Sequence, residues 1–178
     1  MNIKIRSTEA GDAAQYLTIS CQQTVQENTL GMPCQSLNDW NERLACNGRD
    51  GIYHFAADAD GELAGIITIR NPQHPRLRHT TNLGMFVDEN HTGKGVGSAL
   101  IEFALRYSFH WLGAVKVELE VFTDNVAAIG LYKKFGFREE GIRTKSALRN
   151  GQYVDVLMMG LEVQDTGTSS GSDHRYSA

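Results

Sequence analysis

The chain has 178 residues, of which 41% are hydrophobic and 21% charged, a composition that suits a globular protein with one buried core. A formal net charge of -4 and a sequence pI near 5.8 leave no basic surface for a long phosphate backbone, so nucleic acid is not expected as a partner. The beginning of the chain lacks the apolar core of a signal peptide and no apolar run reaches membrane-span length. A cytoplasmic protein without membrane contact is expected. Cys21, Cys34 and Cys46 show no Cys-x-x-Cys spacing and read as reduced thiols. The histidines are scattered without ligand spacing, so no metal is expected.

Alternation in Asn2 to Arg6 predicts a first strand, after which Thr8 can cap a helix running to about Gln26 with Ala14, Leu17 and Cys21 on one side. Glu27 to Gln35 reads as loop, broken by Gly31 and Pro33. Ser36 and Asp39 have the spacing of a capping box that opens a short helix carrying Leu37, Trp40 and Leu44. Strands are expected over Ile52 to Ala57 and Leu63 to Arg70, turned at Asp60-Gly61, and again over Thr80 to Val87. Val96, Leu100, Phe103, Ala104, Tyr107 and Trp111 recur at helical steps. A strand over Val115 to Phe122 follows, then a helix capped by Asn125 and ended by Gly136. The last pair of strands, Phe137 to Leu148 and Gln152 to Leu161, turns at Asn150-Gly151. The small, polar segment 164–178 is expected to be a disordered tail behind a single domain spanning 1–163.

The stretch from Asp88 to Ser98 carries the chemistry. Gly93-Lys94-Gly95-Val96-Gly97-Ser98 joins a strand to a helix, which is how bare backbone is arranged to hold phosphate at a helix amino terminus. A Walker loop is excluded, because Gly95 follows Lys94 where Ser or Thr is needed and Asp88 stands at the first glycine position. A dinucleotide fingerprint stays open: Ser98 replaces its third glycine, but Glu118 and Glu120 lie at a suitable distance for a ribose contact. A glycine-rich turn that merely connects strand to helix also stays open.

A second constellation, Asn125, Ala128 and Tyr132, falls within about 40 degrees on one helix face, since positions seven apart nearly coincide at 3.6 residues per turn. Asn125 can equally be only an N-cap and Tyr132 only a half-buried aromatic. In this order, Thr92-Gly-Lys-Gly95-Val-Gly97 followed by Asn125, Ala128, Leu131-Tyr132 and Gly136-Phe137 resembles the GNAT superfamily of N-acyltransferases. The resemblance spans Ile3 to about Leu161. It implies an α/β (α+β) GNAT fold, with a mixed, mostly antiparallel central sheet of about seven strands flanked by four helices. The strands before and after the glycine-loop helix should splay apart. Thr92 departs from the family's usual Arg or Gln. Segments Glu27 to Pro33 with Trp40 to Leu44, and Ala147 to Asp155, are similar to bacterial members that acetylate free amino acids such as phenylalanine and methionine, and Asn150 to Tyr153 also resembles polyamine acetyltransferases.

The resemblance implies an enzyme that moves an acetyl group from acetyl-CoA to a primary amine by direct attack in a ternary complex. Its expected CoA-binding residues here are Phe86, Val87, Thr92, Gly93, Lys94, Gly95, Val96, Gly97, Ser98, Asn125, Ala128 and Tyr132. A backbone N–H near Phe86 or Val87 would polarise the thioester carbonyl. Tyr132 would be the acid that meets the leaving thiolate, and Glu118 or Glu120, with Glu120 favoured, the base. Arg43, Arg78 and Arg149 are candidates for gripping an acceptor carboxylate, whereas Glu27, Glu42 and Asp155 would suit a polyamine. A protein N-terminus as acceptor and an idle acyl-CoA sensor are the alternatives. The family also offers homodimerisation, for which the edge strands of the last hairpin are available.

Overall fold

A computed structural model describes residues 1–163; the expected tail, 164–178, lies outside the described residues. In chain order the elements are β1 (Ile3–Ser7), α1 (Ala13–Ser20), α2 (Gln23–Asn28), α3 (Leu37–Ala45), β2 (Ile52–Ala59), β3 (Glu62–Arg70) and β4 (Thr80–Val87). After these come α4 (Val96–His110), β5 (Lys116–Phe122), α5 (Val126–Lys134), β6 (Arg138–Arg149) and β7 (Gln152–Glu162). One seven-stranded sheet results, in the order β1-β2-β3-β4-β5-β7-β6. Every neighbouring pair is antiparallel except β4 and β5, which are parallel and joined through α4. Both hairpin turns hold positive φ at their central residues, Asp60-Gly61 and Asn150-Gly151, as their sequences predict.

Strand alternation gives the sheet two buried faces. Val117, Leu119 and Val121 of β5 join Val96, Leu100, Ile101, Ala104 and Leu105 of α4 and Tyr132 of α5 in one core cluster. The opposite face packs Ala56, Leu63 and Ile66 against Tyr16, Ile19, Val25, Trp40 and Leu44, so α1, α2 and α3 cover it. Glu118, Glu120 and Phe122 therefore turn away from the α4 and α5 side.

The helix expected from Thr8 to Gln26 is instead a 3-10 turn at Ala10–Asp12 followed by α1 and α2, which makes five helices among the described residues rather than four. Glu9, not Thr8, is the cap, and Asp12 closes a capping box by accepting from the Glu9 N–H at 2.8 Å. Ala13, Tyr16 and Ile19 are the buried positions of α1, while Ala14 and Cys21 are exposed. Gln22 breaks the run with extended backbone (ψ 139°) because its side chain is used elsewhere, accepting from the Glu89 N–H at 3.0 Å. Glu89 in turn accepts from the N–H and hydroxyl of Thr24, at 3.1 and 2.6 Å, and so caps the start of α2 from across the fold. α4 ends at His110, which leaves Trp111 exposed instead of on the helix face.

Pairing of β4 with β5 runs only from Thr80 opposite Lys116 to Leu83 opposite Leu119. Beyond it, Gly84 to Val87 and Glu120 to Phe122 stay paired to β3 and β7 but not to each other, so the sheet is open along this seam. The expected splay is present.

The entry to α1 rests on Arg6, which forks onto the Asp12 carboxylate with two 2.8 Å bonds. Burial pulls the Asp12 carboxyl upward, but the Arg6 guanidinium and the Glu9 amide outweigh it and hold the group below the ordinary aspartate range. Arg6→Ala leaves that carboxylate buried without its cation and should cost about 2 kcal/mol in chemical denaturation at neutral pH. A lowered folded pKa stabilises above the unfolded value of about 3.9, so the deficit should shrink as the pH falls through the folded value.

Candidate active site

The connection from β4 to α4 begins with Asp88, whose carboxylate accepts from the Asn90 N–H, and passes through a short 3-10 turn at Glu89–His91. Gly93 and Gly95 then take φ of 75° and 91°, which a side chain strongly disfavours. Gly97 has a different reason to be bare: a Cβ there would meet Leu131 Cδ2 of α5 at 3.1 Å and Met85 Cε of β4 at 3.6 Å. It lets α4 pack closely on α5 and β4. The first α4 amide bonded across the cap is Ala99, onto the Gly95 carbonyl at 3.0 Å. Among the described residues, the N–H groups of Gly93, Gly95, Val96, Gly97 and Ser98 find no acceptor, and a helix start of this kind is an anion site. The Lys94 N–H is taken by the His91 carbonyl at 3.4 Å, so Lys94 does not add its amide to the set. The Thr92 hydroxyl is folded back onto the Asp88 carbonyl at 3.3 Å and away from that role.

The open seam continues from this cradle. The Asp88 N–H donates to the Ala64 carbonyl of β3 at 2.9 Å, so alternation along β4 points the Phe86 N–H to β3 as well and the Met85 and Val87 N–H groups into the seam. Phe86 is thereby corrected as an amide donor. Its ring instead makes edge contacts with Tyr16 and Trp40, at centroid distances of 6.4 and 6.3 Å.

On the α1–α3 side, a pocket of about 40 Å³ is lined by Asn28 at the end of α2 with Thr29 and Leu30 after it, by Glu120 to Phe122 of β5 and by Val156 of β7. Of the two glutamates in β5, Glu120 lines it, while Glu118 is paired with Lys116 at 2.9 Å. Glu120 forms an ion pair with Arg143 of β6, a partner that sequence spacing did not indicate. Arg149, expected as a carboxylate grip, is already committed. It forks onto Asp124, donates to the Glu27 carbonyl at 3.2 Å and lies 5.0 Å over the Phe122 ring. Arg43 stacks on Trp40 at 5.1 Å, and Arg78 sits in the loop before β4, at the far end of that strand from the seam.

Asn125 caps α5, its side-chain oxygen accepting from the Ala128 N–H at 3.1 Å. Ala128 and Tyr132 lie in the cluster between α5 and α4, where Tyr132 meets Phe137 edge-on at 5.9 Å. Burial pushes the Tyr132 hydroxyl up to about 12. Tyr132 and Glu120 thus occupy opposite faces of the sheet, and only the open seam lets both approach one molecule. Among the described residues, no three His, Cys, Asp or Glu side chains gather as a metal site, and no helix is long and apolar enough to cross a membrane. Cys21, Cys34 and Cys46 are exposed free thiols.

Residues 17–137 match the model of the acetyltransferase (GNAT) family. The chain belongs to that family, and it is an N-acetyltransferase. An L-amino acid N-acetyltransferase, AaaT of Escherichia coli, is 42% identical over 88% of this chain and 96% of its own. The spermidine N-acetyltransferase of Vibrio cholerae, solved with CoA and spermine, superposes with a TM-score of 0.81 at 26% identity, over 90% of this chain and 95% of that one. The protein yncA of Salmonella typhimurium, solved with acetyl-CoA, shares the fold at a TM-score of 0.82 and 17% identity, over 98% and 99% of the two chains.

The two kinds of glycine in this N-acetyltransferase separate in a mutant cycle read by denaturation. Gly95→Ala has open space for its Cβ yet should cost about 1 kcal/mol, because the positive φ remains, and Leu131→Ala should not relieve it. Gly97→Ala gains helix propensity but crowds Leu131, so it should be more favourable by at least ~0.5 kcal/mol in the Leu131→Ala background than alone.

Proposed function

We propose that this enzyme acetylates the α-amino group of a free L-amino acid with an apolar side chain, using acetyl-CoA as donor and direct attack in a ternary complex. The observation that carries this reading is the meeting of three features at one opening. These are the unpaired amides of the glycine loop, the amides of Met85 and Val87 turned into the seam, and a pocket that combines Leu30, Phe122 and Val156 with a single carboxylate, Glu120. The 42% identity to an L-amino acid N-acetyltransferase supports the acceptor class. A polyamine is less well matched, because Glu120 is paired with Arg143, Asp124 with Arg149, and Asp155 accepts the Lys145 N–H at 2.7 Å.

In this reading the pyrophosphate rests on the amides of Gly93 and Gly95 through Ser98, and the pantetheine arm enters the seam as a partial strand. The Val87 N–H polarises the thioester carbonyl. Glu120 takes a proton from the acceptor ammonium, the freed amine attacks the carbonyl carbon, and the C–S bond breaks with the electron pair leaving on sulfur. Tyr132 then supplies the hydrogen bond, and finally the proton, that the thiolate needs, and the second proton shed by the attacking nitrogen as the amide forms is passed back to the Tyr132 oxygen. With its hydroxyl near 12, Tyr132 keeps that proton at every working pH. Transfer to a free thiolate, whose conjugate thiol has a pKa of about 8.5, is uphill, and burial of the sulfur in the seam narrows the gap by raising the thiol pKa. Holding both substrates in one opening supplies the proximity term. The exposed thiols at Cys21, Cys34 and Cys46 suit a reducing cytoplasm.

Thiol release from acetyl-CoA, measured across L-amino acids, spermidine and an Ala-ended peptide, tests the reading. Turnover should favour apolar amino acids, and turnover of spermidine or the peptide alone would overturn the acceptor assignment. Tyr132→Phe should lower kcat about a hundredfold with little change in the KM for acetyl-CoA. Because the hydroxyl titrates near 12, wild-type kcat should show no descending limb from Tyr132 between about pH 7 and 10.

A further inference from the structure

We propose that Arg143 is the acceptor's carboxylate anchor, so that the Glu120–Arg143 ion pair reads an α-amino acid as a zwitterion. This rests on the amino-acid reading above and specifies which residue enforces it. Glu120 lines the pocket, and the Arg143 guanidinium is ion-paired with it while the side chain stays 46% exposed. A guanidinium carries five N–H donors, more than one carboxylate takes, and its planar fork suits a second carboxylate. The remaining arginines near the site are not free in this way. Arg149 is held by Asp124, the Glu27 carbonyl and the Phe122 ring, and Arg43 is stacked on Trp40.

The fold aims Arg143 at this place. Arg143 is opposite Val156, which is itself opposite Phe122, so all three share the sheet face onto which the pocket opens. Immediately after Arg143 the register slips: Thr144, Lys145 and Ser146 stand against Asp155 alone before Ala147 pairs with Val154. Lys145 takes φ 51°, an uncommon value for a residue with a side chain, and its N–H is bonded to Asp155 Oδ1 at 2.7 Å. A bulge held this way fixes which residue of the edge strand faces the pocket.

Adjacent opposite charges match the ammonium and carboxylate of one α-carbon. The substrate carboxylate takes the open edge of Arg143, its ammonium displaces part of the Arg143 contact on Glu120, and the amine is delivered to the carboxylate assigned as base. A polyamine meets a repelling cation at the same spot. Arg143 is therefore a specificity-determining residue for free amino acids over amines that lack a carboxylate.

The test compares L-methionine and L-phenylalanine with their carboxamides, in wild type and in Arg143→Gln and Arg143→Lys, with acetyl-CoA saturating. Wild type should prefer the free acids. Arg143→Gln should raise KM for the acids about ten- to hundredfold, leave the amides within a factor of about two, and leave the KM for acetyl-CoA unchanged. Arg143→Lys should recover part of the preference. An equal loss for acid and amide would show that Arg143 only supports Glu120, and would overturn the proposal, as would a wild type indifferent to the carboxylate. No turnover of either amino acid in either form would overturn the amino-acid reading itself, a pattern distinct from both.

Discussion

Everything at the candidate site follows from where β4 and β5 stop pairing. Hydrogen bonding between these parallel strands ends at Leu83 and Leu119, and each strand then continues with its other neighbour only. An unpaired strand edge inside a sheet is costly unless something else takes its amides. Here the Met85 and Val87 N–H groups face the opening, and the sheet offers them no partner. The same opening connects the face covered by α4 and α5, where Tyr132 is buried, to the face covered by α1 to α3, where Glu120 lines a pocket. A closed sheet would keep the two groups apart.

α2 ties the two ends of this arrangement together. Its start is held by Glu89 and Gln22 against the turn that leads into the glycine loop, and its last residues are held by Arg149, which bonds the Glu27 carbonyl. The pocket-lining residues Asn28 to Leu30 are its last residue and the two that follow. The segment that borders the acceptor pocket is therefore anchored both to the proposed pyrophosphate cradle and to the last hairpin, by polar contacts between residues more than sixty positions apart. Such contacts are satisfied only in the assembled fold.

This also explains which features were legible in the sequence. Local chemistry was read well: Ser36 and Asp39 form the expected capping box, Asn150-Gly151 turns the last hairpin, and Gly93 and Gly95 need their positive φ. The seven strands and the splay between β4 and β5 were also anticipated. Misread features were those decided at a distance. The break at Gln22 depends on Glu89, the commitment of Arg149 depends on Asp124 and Glu27, and Phe86 loses its assigned amide role because β3, not the seam, receives its N–H. Arg143 was missed because its placement depends on a bulge, which shifts the strand's side-chain pattern and leaves no periodic signal.

Amide hydrogen exchange with and without CoA tests most directly whether the open seam and the helix start form one donor-binding surface. Slowed exchange at Met85, Val87, Gly93 and Gly95 through Ser98, with Phe86 already protected in the free enzyme, is the expected result. Protection appearing elsewhere while these amides exchange unchanged would contradict it.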